Sequence, residues 1–157
     1  MILATLLYIK NKRGEYLLLK RTKNPNKGLY SPPGGKLNTI EGESILQCGA
    51  REAKEECGII STPKDWKIIG IVTEKNYPNI GNIMVFCLKY KKLLSNHLPE
   101  NTNEGNFLFI SPKDLHKFKL PETDKLFIWK FVLRNRWFSI RIDCTNIKKL
   151  KCVIENG

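Results

Sequence analysis

The segment 44–57 has to satisfy two demands at once. Ile45, Leu46, Gly49, Ala50, Ala53 and Cys57 recur there at helical spacing and cover an arc of about 140° at about 100° per residue, so one face must be buried. Ser44 is placed to cap the N-terminus and Gly58 to end the helix. The same helix carries Glu52, Glu55 and Glu56 at i, i+3 and i+4, which gathers their carboxylates within an arc of about 100°. Like charges so spaced destabilise a helix by roughly a few tenths of a kcal/mol per pair unless a cation compensates. Either the face is an ordinary solvated one, offset by Arg51 and Lys54, or a divalent metal supplies the compensation. Hard carboxylate oxygens suit magnesium or manganese. Glu56 falls beside Ile45 and Gly49 at the edge of the apolar stripe, so it is expected to be partly buried and to be the central ligand.

Upstream, Ser31-Pro32-Pro33-Gly34-Gly35 excludes regular structure and forms a loop feeding the helix. Glu43 lies within reach of Arg51 across the turn between them. That ion pair would fix loop to helix, necessary to the site without a direct part in bond cleavage. Elsewhere, residues 2–9 and 15–20 read as strands joined through Asn11-Lys12-Arg13-Gly14 into a hairpin. Further strands are expected at 66–74, 82–90 (strongly apolar, hence central), 107–110 and 137–142. Ser111-Pro112 marks a helix start, and 126–133 reads as helical. The pattern is α+β without repeats.

A chain of 157 residues, 41% hydrophobic, suffices for one core. Its longest apolar runs, 3–9 and 83–88, fall far short of the roughly 20 residues a membrane span needs. No basic leader or small-residue cleavage site precedes the first strand, so a soluble, cytoplasmic protein is expected. The five cysteines form no CxxC pair, which suggests neither a disulfide framework nor a zinc site and fits a reducing compartment. The net charge of +12 would attract nucleic acid or an anionic substrate. However, only six of 27 basic residues are arginine and the rest are lysine, as an AT-rich coding sequence yields with a plain solvated surface. Trp137 and Phe138 beside Arg134, Arg136 and Arg141 could likewise stack on nucleic acid or be core.

The residues from Gly34 to Ile59 resemble the Nudix box: Gly, five residues, Glu, seven residues, Arg-Glu, an apolar residue, any residue, Glu-Glu, any residue, Gly, apolar. From Glu43 onward the match is complete, with Ala53 a small member of the apolar class. Between Gly35 and Glu43 lie seven residues instead of five. This is a two-residue insertion around positions 38–41, which a loop tolerates without disturbing the helix register. It bears on where Glu43 and the Gly34 carbonyl, a metal ligand in many family members, come to lie.

The resemblance, over about residues 1–130 with the box at 35–59, implies one domain across 1–157. Its fold would be an α/β/α sandwich around a mixed β-sheet, with 130–157 a basic C-terminal extension. It also implies Mg2+-dependent hydrolysis, with Mn2+ as substitute, of a diphosphate linkage in a nucleoside di- or triphosphate derivative. Gly34, Glu52, Glu55 and Glu56 would hold metal, and Gly35, Glu43 and Gly58 would be structural. The catalytic set would be Glu52, Glu55 and Arg51 together with Glu104, the chosen general base outside the box, with Glu100 and Glu74 in competition. Arg21 would contact phosphate or be an exposed strand-end charge. Asp124 would read an oxidised purine or merely favour a helix N-terminus. The leading substrate is an oxidised or ordinary (d)NTP cleaved to the monophosphate and pyrophosphate. Alternatives are a dinucleoside polyphosphate, a nucleotide sugar or an RNA 5′ end. From another class comes a non-catalytic nucleotide- or RNA-binding regulatory module, against which the intact glutamates stand. Monomer and homodimer both stay open.

Overall fold

The computed structural model describes residues 1–103 and 105–157. In chain order the strands are β1 (Ile2–Tyr8), β2 (Tyr16–Arg21), β3 (Tyr30–Ser31), β4 (Trp66–Tyr77), β5 (Gly81–Tyr90), β6 (Gly105–Ile110), β7 (Phe138–Asp143) and β8 (Lys151–Asn156). Helix α1 spans Ile45–Cys57, and α2, Trp129–Leu133, is entered through a π-helical turn at Asp124–Ile128. A five-stranded sheet has the order β1-β5-β4-β7-β8, and a three-stranded one the order β3-β2-β6. In the larger sheet β1 runs parallel to β5 and β4 to β7, while the β4–β5 and β7–β8 pairs are antiparallel. It is the mixed sheet expected.

Alternation along the strands sets the layers, because successive side chains point to opposite faces. Leu7 of β1 and Leu88 of β5 pack with Ala53 and Cys57 of α1. Their neighbours Tyr8 and Cys87 pack instead with Ile128, Trp129 and Val132 around α2. The two helices therefore cover opposite faces, giving the α/β/α layering.

The expected β1–β2 hairpin closes at its tip, where Lys10 bridges Tyr16 antiparallel, and its arms then part. β1 pairs along its length with β5, and β2 with β3 and β6. At the tip Leu17 N–H donates to the Ile9 carbonyl at 2.9 Å and Asn11 N–H to the Glu15 carbonyl at 3.0 Å. Leu17, Leu18 and Leu19 are all buried, and a strand apolar on both faces must be covered on both, which a surface hairpin cannot offer. The buried Asn11 side chain accepts hydrogen bonds from the N–H groups of Arg13 and Glu15, both at 3.0 Å, and turns the chain from one sheet to the other. Where a helix start was read after Ser111, the chain makes only 3₁₀ turns over Pro112–Lys117.

Residues 130–157, expected as a basic extension, contribute β7 and β8 to the larger sheet, and Phe138, Ile140 and Ile142 are fully buried. Cys48, Cys57, Cys87 and Cys144 are buried as free thiols. Among the described residues, no helix is long and apolar enough to cross a membrane.

Candidate active site

Helix α1 is held at both ends by the residues that mark it in the sequence. Ser44 Oγ accepts from Gln47 N–H at 3.1 Å, and Gln47 Oε1 accepts from Ser44 N–H at 2.9 Å. This reciprocal box satisfies two backbone donors. Gly58 closes the helix in the left-handed region at φ 66°. The loop before α1 is stitched to β1, with Thr5 N–H to Gly35 O at 2.8 Å, Leu7 N–H to Pro33 O at 2.7 Å and Leu37 N–H to Leu3 O at 2.9 Å. Close approach of backbone leaves no room for a side chain at Gly34, and one at Gly35 would displace the Glu52 carboxylate. A Cβ on Gly34 would lie 2.1 Å from the Thr5 carbonyl oxygen, and one on Gly35 would lie 2.3 Å from Glu52 Oε1.

Arg51 ties the loop to the helix. Its Nε and Nη2 donate to the two oxygens of Glu43 at 2.6 and 3.0 Å, and Nη2 also reaches the Lys36 carbonyl at 3.0 Å. Nη1 donates to Glu52 at 2.8 Å and to Glu55 at 3.1 Å. The guanidinium holds the Glu43 carboxyl below its usual range, and the glutamates raise the pKa of Arg51. The two extra loop residues leave this arrangement in place. Asn38 N–H donates to Glu43 Oε2 at 2.8 Å and Glu43 N–H to Asn38 O at 3.1 Å, so the loop closes on itself while Ile40, 93% exposed, bulges outward.

One cavity, about 380 Å³, gathers most of the expected site: Arg21, Gly34, Gly35, Glu52, Glu56 and Asp124 all line it. Glu56 Oε2 accepts from Gly34 N–H at 3.3 Å. Glu52 is buried, and this desolvation raises its pKa against the opposing pull of Arg51. Arg21, at the end of β2, is steadied by an Nε–H bond to the Pro25 carbonyl at 2.7 Å. Glu55 lies outside the lining, directed at Arg51 with a side chain 57% exposed. Glu100 is exposed and off the cavity. Glu104 lies outside the described residues.

Glu52 and Glu56 with Gly34 offer hard oxygen donors beside one cavity, and the desolvated Glu52 carboxylate is the kind of anion a cation stabilises. Among the described residues, no three acidic, cysteine or histidine side chains converge into a ready cage. Magnesium is commonly bound through one or two carboxylates plus waters and substrate phosphates, so this donor set fits it.

The other end of the cavity is less legible in the sequence. Glu74 of β4 is buried there against Asp124. Burial, then the charge of Glu74, pushes the Asp124 carboxyl up to about 8, and burial pushes Glu74 up to about 7, with Thr123 opposing both shifts. Tyr77 O–H donates to Asn26 Oδ1 at 3.0 Å, and Ile80, Ile83 and Val85 supply apolar wall. Parity is the signal that points to Glu74, since it shares an inward face with Val72. Asp124, besides lining the cavity, opens the π-helical turn.

Comparison with known proteins agrees with this geometry. The NUDIX domain profile matches residues 2–131. An ADP-ribose pyrophosphatase from Methanocaldococcus jannaschii is 35% identical over 82 residues, 51% of this chain and 46% of that protein. The m7GpppN-mRNA hydrolase NUDT17 of Xenopus laevis is 28% identical over 116 residues, 73% of this chain and 33% of that protein. The chain thus spans less than half the length of these curated relatives. A crystal structure of a MutT protein from Bacillus halodurans shares the fold at TM-score 0.80 and 23% identity, covering 99% of this chain and 98% of that one. With the profile matched over most of the chain, and Gly34, Gly35, Glu52 and Glu56 of the box lining one cavity, the chain belongs to the NUDIX domain family.

Proposed function

We propose that this protein hydrolyses a diphosphate linkage in a nucleoside diphosphate derivative, and that its substrate is an oxidised purine nucleoside triphosphate released as monophosphate and pyrophosphate. The observation that carries the reading is the single cavity with Glu52 and Glu56 at one end and an apolar, acid-bearing pocket at the other. Magnesium, with manganese as substitute, would be held by Glu52, Glu56 and Gly34, with Glu55 at the rim, and when bound would polarise the diphosphate and acidify the attacking water. Arg51 positions Glu52 and Glu55 through its hydrogen bonds. Arg21 suits a phosphate, since guanidinium binds such oxygens in bidentate fashion. Glu52, Glu55 or Glu104 takes the proton of the attacking water.

At the base end, a carboxyl kept neutral by burial can donate a hydrogen bond as well as accept one. Oxidation of a purine converts its N7 acceptor into a donor and adds a carbonyl acceptor. A buried polar group left unpaired by the wrong base is strongly unfavourable, which is how such a pocket discriminates. A second reading, a sugar-linked nucleoside diphosphate, is favoured by the 35% identity to the ADP-ribose pyrophosphatase. The free thiols suit a reducing cytoplasm.

The test is magnesium-dependent release of pyrophosphate or phosphate from a panel of oxidised and normal nucleotides, ADP-ribose, dinucleoside polyphosphates and capped RNA, with Glu56→Gln as control. Preferred turnover of an oxidised purine triphosphate, lost in the variant, supports the proposal. Preference for ADP-ribose supports the second reading instead. Binding without turnover of any compound would leave only a regulatory module.

A further inference from the structure

A second cleft, about 470 Å³, lies toward the opposite end of the same strands and shares no lining residue with the catalytic cavity. On β1 the catalytic cavity takes Ile2, Ala4 and Leu6, whereas the cleft takes Tyr8, followed by Lys10 just past the strand. On β5 the division falls between Val85 and Lys89. The two sites are therefore separated by roughly four residues of strand, about 13 Å at 3.3 Å per residue. Residues 124–133 run between them, with Ile128 over the catalytic cavity and Val132 and Leu133 over the cleft.

The cleft is strongly basic. Lys10, Lys67, Lys89 and Arg136 line it, and its lining contains no acidic residue. Lys67 and Lys89 stand directly opposite each other across the antiparallel β4–β5 pair, and Lys89 is in turn the parallel partner of Tyr8. Like charges directly opposite destabilise a sheet. Among the described residues, none of the four cations has an ion-pair partner. Lys10 Nζ sits 5.2 Å from the centre of the Tyr16 ring. At the rim Trp137, a large apolar side chain 45% exposed, adds a flat ring to this charge.

An unrelieved cross-strand pair of lysines, two further cations and an exposed indole match a ligand with repeated anions and a flat aromatic face. The volume falls in the range of about 300–1,000 Å³ typical of small-ligand sites, enough for a nucleotide unit. Lys67 and Arg136 are exposed at the margin, where phosphates of neighbouring units could pass, and the chain carries +12 overall. We propose that this cleft is a second ligand site that binds single-stranded nucleic acid, one unpaired base stacking on Trp137 and adjacent phosphates meeting Lys10, Lys67, Lys89 and Arg136. The site does not depend on which nucleotide the catalytic cavity cleaves.

The experiment is a fluorescence-anisotropy titration of the full chain with a fluorescein-labelled, unstructured 12-nucleotide RNA, at several salt concentrations. Its comparison set is Trp137→Ala, the double variant Lys67→Glu/Arg136→Glu, the same sequence as duplex, and competition by tripolyphosphate or a mononucleotide. Thermal melts verify that each variant is folded. The expected result is wild-type binding at 0.1 M salt, weakened at least about tenfold in either variant. The double variant should flatten the log–log salt dependence by about 1.4, roughly 0.7 for each phosphate it no longer neutralises. Catalytic turnover of a nucleoside triphosphate should be unchanged. Absence of wild-type binding, equal binding by the variants, equal binding of the duplex, or displacement by tripolyphosphate or mononucleotide at matched phosphate concentration would each overturn the proposal.

Discussion

At one end of the cavity lined by Gly34, Glu52 and Glu56, carboxylates are met by donors: Arg51 Nη1 lies 2.8 Å from Glu52 and the Gly34 nitrogen 3.3 Å from Glu56. At the other end, Glu74 and Asp124 are buried against each other, and among the described residues neither is in an ion pair. The same functional group thus meets different surroundings: hydrogen-bond donors face Glu52 and Glu56 at one end, whereas burial pushes Glu74 and Asp124 toward the protonated form at the other. Charge suits metal and phosphate chemistry, while a neutral carboxyl suits reading a base by hydrogen bonds. The difference arises from what each segment leaves around its carboxylates. α1 brings an arginine and a loop backbone to its glutamates, whereas β4 and the 124–133 segment bring apolar side chains.

The division is broken most directly by neutralising one end at a time. Glu56→Gln should lower turnover at least about a hundredfold while the melting temperature stays within a few degrees, because a transition-state charge interaction is removed and little packing is lost. Glu74→Gln and Asp124→Asn should instead shift relative kcat/KM between normal and oxidised bases by about tenfold, with metal dependence unchanged. Equal loss of kcat from both ends would show that they are not divided in this way.

Gly35→Ala probes the charged end without altering charge. The added methyl would lie within 2.7 Å of both Glu52 oxygens, so the carboxylate must swing away from the loop. Turnover should fall by about tenfold or more and stability by about 1–3 kcal/mol. Unchanged kinetics would mean that the position of Glu52 against the loop is irrelevant to catalysis.

How visible each end is in the sequence follows from the range of the interactions that build it. The caps of α1, the Glu43–Arg51 pair and the carboxylate face all lie within one short segment, and residue spacing alone brings them together. The pocket around Glu74 and Asp124 depends on β4 meeting a segment about 50 residues later, and parity along β4 turns Glu74 inward without saying what it will meet there. The β1–β2 hairpin stops at its tip for a related reason, since the turn at Asn11 is local while the pairing partner of the arms rests on burial of both faces. β8 escapes a pattern-based reading because its Lys, Glu and Asn resemble a solvated tail, which is how an edge strand reads when most of its residues stay exposed.

The acid end makes a prediction about pH. Asp124 and Glu74 hold their protons more tightly when folded than their ordinary values allow, so the folded state binds more protons than the unfolded state between about pH 4 and pH 8. Their contribution to stability is therefore greatest below about pH 4, declines as pH rises through that window, and levels off above it. Urea melts at pH 5 and pH 8.5 should show this decline, and Asp124→Asn should reduce it by about 1–2 kcal/mol. A variant with the same decline as the wild type would mean that Asp124 is charged throughout.

The smallest effect is expected from the enlarged loop. Deleting Thr39 and Ile40 leaves Asn38-Glu41-Gly42-Glu43, a four-residue sequence with glycine third. A type II turn requires positive φ at that position, and Gly42 already holds φ 66°. The Asn38–Glu43 backbone bond, 3.1 Å at present, would become the closing bond of that turn, and Arg51 would keep its partner. Shortening a flexible loop changes closure entropy by only about 0.6 kcal/mol even when its length halves. Stability should therefore change by less than about 1 kcal/mol and turnover by less than about twofold. A loss approaching that of Glu56→Gln would instead make exposed Ile40 and its neighbours part of the substrate site, and the charged end of the cavity would extend beyond Arg51.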